Sequence, residues 1–173
     1  FYLYSTAKIL ENFNDFLTSF ASADATICFA VKSCSNIAIL KLLKAAGAGA
    51  DTVSGGEIRR ALRAGIAPEK IIFSGLGKTG EEIAFALESG IGQLNVESTE
   101  ELEVIDRIAA ARGIKARVSV RVNPDVDPKT HPYIATGHKE NKFGVPFGEA
   151  FDVYREAHAL PGIAIAGVGY HIG

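Results

Sequence analysis

The feature that most constrains this 173-residue chain is a repeating interval. Short apolar runs end at Lys32, Ser54, Ser74, Glu97 and Arg121, and these ends stand 22, 20, 23 and 24 residues apart. Each interval is punctuated as a strand followed by a helix. Ser54 with Glu57, Thr79 with Glu82, and Ser98 with Glu101 read as S/T-x-x-E capping boxes, in which two orphaned N–H groups at a helix start are satisfied reciprocally. Gly47, Gly65, Gly90 and Gly113 stand at the opposite helix ends, where a left-handed C-cap is wanted. The pattern predicts strands at 27–31, 50–53, 71–73, 93–96, 116–122 and 164–170. It predicts helices at about 36–46, 56–64, 80–89, 99–112 and 147–159. A further amphipathic helix is expected over 6–20, through Ile9, Phe13, Phe16, Leu17 and Phe20, after a short strand at Phe1–Tyr4.

A strand-to-strand interval of this length holds one right-handed crossover through a helix, so the strands are parallel. Doubly wound sheets and (β/α)8 barrels both use such units. The units here are short and alike, with no sign of a reversal of strand order, which favours an α/β fold of the (β/α)8 TIM-type barrel. Six strands of eight are present, so residues 1–173 read as one incomplete barrel domain. The chain also lacks methionine and stops at His171-Ile172-Gly173 directly after a strand, as expected of a fragment.

Composition narrows the function. Apolar residues make up 47% and charged residues 22%, so the chain is globular, and a net charge of −2 argues for neither a nucleic-acid nor a membrane-surface partner. No apolar run approaches the roughly 20 residues that span a bilayer. Cys28 and Cys34 lack metal-ligand spacing, and two such thiols suit a reducing cytoplasm.

Three motifs invite readings that their context excludes. Gly75-Leu76-Gly77-Lys78-Thr79 ends like a phosphate-binding loop, but position 72 is Ile where a glycine is required, and Thr79 is explained as a helix cap. Gly47-Ala48-Gly49 precedes a strand, whereas a dinucleotide fingerprint follows one. His131 and His138 flank Tyr133 without further ligands at a metal-binding spacing.

Catalytic groups of a barrel sit at the C-terminal ends of its strands. That rim holds Lys32, Ser54, Ser74, Glu97, Arg121 and His171. Lys32 follows the run Ile27–Val31 and precedes a helix capped by Ser35 or Asn36, with apolar positions Ile37, Leu40, Leu42 and Leu43. A lysine amine there is expected to shed part of its hydration and act as a nucleophile. Lysine, arginine and histidine at one mouth suit a carbonyl-type cofactor held as a Schiff base. Lys32 would supply the imine, His171 would lie against a flat ring, and Arg121 would bond near the imine or a phenolic oxygen. An ion pair of Arg121 with Glu97 or Asp51, and a core role for His171, stand as alternatives. The interval from Arg121 to His171 is 50 residues, and its excess, Asn123–Pro146, is a loop long enough to be functional and is expected over the barrel mouth.

Phe29-Ala30-Val31-Lys32 resembles the YAVKAN signature of the fold-type III pyridoxal-phosphate decarboxylases, with Ser33-Cys34 in place of Ala-Asn. Asp51-Thr52-Val53-Ser54-Gly55-Gly56-Glu57, Asn95-Val96-Glu97-Ser98, Arg121-Val122-Asn123-Pro124 and His171-Ile172-Gly173 are similar to family segments in the same order. The stretch His131–Gly137, continued by Asn141-Lys142-Phe143-Gly144, resembles the diaminopimelate branch rather than the ornithine or arginine branches; alanine racemases share the lysine motif without it. The resemblance implies pyridoxal 5′-phosphate on Lys32, His171 stacked on its ring, and Arg121 and Asp51 near it. It implies decarboxylation of meso-diaminopimelate to L-lysine by a cytoplasmic homodimer whose further domain and remaining binding residues follow this segment. Another amino-acid decarboxylase of the same fold, a non-catalytic homologue, and a silent fragment are the competing readings.

Overall fold

A computed structural model describes residues 1–124, 126 and 143–171. Its seven strands are β1 (Cys28–Ala30), β2 (Gly49–Thr52), β3 (Ile71–Phe73), β4 (Gln93–Val96), β5 (Ala116–Asn123), β6 (Val145–Pro146) and β7 (Ile163–Gly169). Its six α-helices are α1 (Thr6–Ser19), α2 (Ile37–Ala45), α3 (Gly55–Arg63), α4 (Gly80–Glu88), α5 (Thr99–Ala110) and α6 (Ala150–Ala159). Strands β1 to β5 pair in sequence order, β7 pairs β5, and every pairing is parallel. This is an unclosed run of βα units, as expected of a truncated TIM-type barrel. The two-residue β6 pairs the end of β5 and lies beyond any periodicity the sequence could display.

The core lies between the sheet and the helices that cover it. Val31, Leu40, Ile58, Ile71, Phe73, Ile83, Leu94, Leu102, Ile105, Val118 and Val120 are all essentially inaccessible to solvent. Helix α2 buries Leu40 and Leu43 as expected and adds Ile39, while Ile37 is half-buried against the core and Leu42 is half-buried. Of the apolar stripe of α1 only Phe13 is buried, while Phe16, Leu17 and Phe20 stay exposed. Phe1–Tyr4 is not a strand: it pairs with no described strand and is exposed throughout, since a β-propensity without a neighbouring ladder makes no hydrogen bonds.

The helix junctions follow the sequence closely and depart from it in one instructive way. Ser54, Thr79 and Ser98 each cap their helix through the N–H of the residue three positions on. Only Thr79–Glu82 is fully reciprocal. Glu57 accepts instead from the Val53 N–H at 2.8 Å, and Glu101 from the Glu97 N–H at 2.7 Å, one residue before the cap. Each carboxylate thereby ties the strand end to the helix. Glu82 also accepts from the Gly55 N–H at the start of α3, and this bond, followed by that from Thr79, holds its carboxyl below the ordinary range. At the other ends, Gly47, Gly65, Gly90 and Gly113 all adopt positive φ. The next residues, Ala48, Ile66, Ile91 and Ile114, donate N–H back to Leu43, Ala61, Ala86 and Ala109, which closes each helix with a Schellman turn.

Candidate active site

The strand ends converge on a cavity of about 420 Å³. Lys32, Asp51, Arg121 and His171, brought there by β1, β2, β5 and β7, all line it, together with Ser74, Asn95 and Glu97. The register explains the convergence: Ala30 pairs with Asp51, Asp51 with Ile72, and Ile72 with Gln93, so parallel strands deliver one inward layer at the same height. Ser54 does not join them, because its hydroxyl is committed to the α3 cap.

Lys32 sits in a one-turn 3-10 helix, Val31–Ser33, that lifts it off the end of β1. It is exposed, so this segment alone does not strip the amine of water as the sequence suggested. It has no hydrogen-bond partner among the described residues. Arg121 lies 3.3 Å from Glu97 and stacks over the Phe143 ring at 5.2 Å, so the ion pair weighed as an alternative exists within the cavity wall. One Glu97 oxygen takes that guanidinium; the other, Oε2, is buried with no hydrogen-bond partner among the described residues. Gly144, at φ +74°, lets the chain pass Arg121, where a Cβ would lie 2.7 Å from the Arg121 carbonyl oxygen. Partial desolvation, then the charges of Arg121 and Lys32, push the His171 imidazole below its ordinary pKa, against the opposing pull of Asp51 and Glu97. These influences favour the uncharged imidazole.

Asn95 was not legible as a site residue, because it precedes the strand end by two positions. The usable signal was alternation: in Gln93-Leu94-Asn95-Val96 the polar residues share the inward face of a strand. Lys78, from the loop that mimics a phosphate site, points into the protein instead. Its side chain is fully buried, and its ammonium donates to the carbonyls of Gly75 (2.6 Å) and Asn95 (2.7 Å) and to Glu101 (2.5 Å). Residues 127–142, with His131, Tyr133 and His138, lie outside the described residues; Phe143, just after them, lines the cavity. Among the described residues no helix is long and apolar enough to cross a membrane.

Comparison with known proteins agrees with this geometry. The family model for the pyridoxal-binding domain of pyridoxal-dependent decarboxylases matches residues 6–173. Diaminopimelate decarboxylase of Pseudomonas aeruginosa is 50% identical over 172 residues, which is 99% of this chain and 41% of that protein. The crystal structure of diaminopimelate decarboxylase from Helicobacter pylori, complexed with L-lysine, superposes with a TM-score of 0.98 at 50% identity, over 100% of this chain and 44% of that one. Diaminopimelate decarboxylase from M. jannaschii, also in complex with L-lysine, gives a TM-score of 0.90 at 38% identity, over 98% of this chain and 41% of that one. The chain thus spans about two fifths of the length of the curated relatives it matches.

Proposed function

The chain belongs to the pyridoxal-dependent decarboxylases, as their pyridoxal-binding domain, and from that premise we propose that it carries the cofactor-attaching part of a diaminopimelate decarboxylase. The reaction assigned is removal of CO₂ from meso-2,6-diaminopimelate to leave L-lysine. The observation that supports it is the convergence of Lys32, Asp51, Arg121 and His171 on one cavity. That donor set suits pyridoxal 5′-phosphate. It offers an exposed primary amine for an aldehyde, an imidazole of lowered pKa for a flat ring, a guanidinium for a phenolic oxygen, and a buried Glu97 oxygen with no donor among the described residues.

When bound, the cofactor supplies a carbonyl that an amine can attack and a ring that takes up the electron pair left by departing CO₂. Lys32 Nζ, once it gives up a proton, would be the nucleophile that holds the cofactor's carbonyl carbon, with the carbonyl oxygen leaving as water. Asp51, on the adjacent strand, adds a carboxylate to the same cavity wall. The lowered pKa of His171 favours an uncharged imidazole, which would pack on a ring without adding positive charge beside it. Arg121, anchored on Glu97, lines the cavity and brings its guanidinium charge to it. Residues 1–173 form the incomplete N-terminal barrel domain in this reading, with the other strands and the substrate-carboxylate contacts elsewhere in a longer chain. A cytoplasmic homodimer completes the proposal, and the free thiols of Cys28 and Cys34 accord with a reducing compartment.

The test uses the full-length protein. Borohydride reduction in the presence of pyridoxal 5′-phosphate should place the label on the peptide containing Lys32, and the enzyme should release CO₂ from meso-diaminopimelate far faster than from ornithine or arginine. Lys32→Ala should abolish turnover with little change in melting temperature, since the side chain is exposed. A label on another lysine removes the assignment of Lys32; turnover of ornithine or arginine in preference removes the substrate.

A further inference from the structure

Three side chains on the inner face of the sheet are joined to Asp51 in a single file. The Gln93 amide donates to Asn95 Oδ1 at 2.8 Å, the Asn95 amide donates to Ser74 Oγ at 3.0 Å, and the Ser74 hydroxyl donates to Asp51 Oδ1 at 2.6 Å. The file crosses from β4 past the end of β3 to β2 and stops one strand short of Lys32. Its direction is dictated by chemistry. An ionised carboxylate only accepts, so Ser74 must spend its one hydrogen on Asp51. The Ser74 lone pairs then accept from an amide N–H, which leaves the Asn95 carbonyl to accept from Gln93. Every bond points toward the carboxylate, so each polarises the next.

We propose that Ser74 and Asn95 are positioning residues: through this one-way file they hold the Asp51 carboxylate in a single orientation, as a hydrogen-bond acceptor facing the cavity that takes the cofactor. The proposal rests on the cofactor reading above and goes beyond it, since neither residue is among the groups assigned to the cofactor. Without the Ser74 hydroxyl, Asp51 has no fixed partner on that oxygen, and its ordering is left to the moment of ligand binding, where it weakens affinity. Because Asn95 acts on Asp51 only through Ser74, loss of Asn95 adds nothing once Ser74 is gone.

The experiment is an equilibrium titration of the full-length apoprotein with pyridoxal 5′-phosphate, read by absorbance and by quenching of intrinsic fluorescence. Ser74→Ala should weaken binding about tenfold, the scale of one lost hydrogen bond to a charged group. Ser74→Thr, which keeps the hydroxyl, should stay within about threefold of the parent on the same scale. Asn95→Leu should fall between them, and the double variant should bind no more weakly than Ser74→Ala, because effects in series are not additive. A general packing role would lower the melting temperature without rescue by threonine and with additive losses in affinity. Equal affinity of Ser74→Ala and parent, or additive losses, overturns the proposal. A parent that takes up no pyridoxal 5′-phosphate overturns the cofactor reading instead. Should Ser74→Ala fail to fold, Gln93→Leu tests the far end of the file: it must weaken binding in the parent and have no effect beside Asn95→Leu.

Discussion

Lys78 is the sharpest place to test how this fold holds its site. The ammonium is fully buried and binds two backbone carbonyls and Glu101, whose side chain is 13% exposed. Glu101 in turn accepts the Glu97 N–H, so one cation pins the backbone of two cavity residues, Asn95 and Glu97. Lys78→Met keeps the volume and removes the charge. It strands a largely buried carboxylate and leaves two carbonyls without their donor. Breaking a buried pair from one side costs about 3–5 kcal/mol. That is a large part of the roughly 5–15 kcal/mol that holds a domain together. This chain spans 41% of a matched relative's length, and for a full-length protein that much longer the shift is about 1–2 °C per kcal/mol, so the melting temperature should fall by roughly 5 °C. Lys78→Met combined with Glu101→Leu should recover part of that loss, because the stranded charge goes with it. The assay is thermal and urea unfolding of the full-length protein followed by circular dichroism. If Lys78→Met melts within about 2 °C of the parent, against the several kcal/mol expected for a stranded charge, Lys78 is not the buried tie described here.

Two further predictions come from other parts of the chain. Gly92→Ala should destabilise severely, because its Cβ would collide with the Glu69 backbone carbonyl, whereas Gly77→Ala, with nothing within 4 Å of the added atom, should be tolerated; expression yield and melting temperature separate the two. The His171 imidazole, followed by NMR, should titrate below the ordinary value of about 6.5. The folded state then binds fewer protons than the unfolded one, so the His171 contribution is present above that value and is lost as pH falls through the lower folded one. Arg121→Leu should raise the midpoint, since it removes a facing cation and leaves Glu97 unpaired; an unchanged midpoint would refute the stated cause.

Much of this architecture is local and so was readable along the chain. Helix starts at Ser54, Thr79 and Ser98, helix ends at the four positive-φ glycines, and strands spaced by single crossovers depend on residues within a few positions of one another. The convergence of Lys32, Ser74, Glu97, Arg121 and His171 was legible for the same reason, since a parallel sheet of βα units carries its strand ends to one side; for β2 that rule pointed to Ser54, and Asp51 came only from the family resemblance. What a residue meets across strands was not. No spacing rule says that Lys78 turns inward to Glu101, that Glu101 reaches past its cap to Glu97, or that Gln93, Asn95 and Ser74 line up on Asp51. Three of them, Lys78–Glu101, Ser74–Asp51 and Asn95–Ser74, join residues 21 to 23 positions apart, and the two local ones take their orientation from those. They depend on the register between strands and on which way each long side chain turns once neighbouring units pack. Local propensity sets the units, and their packing decides how the polar groups between them are shared.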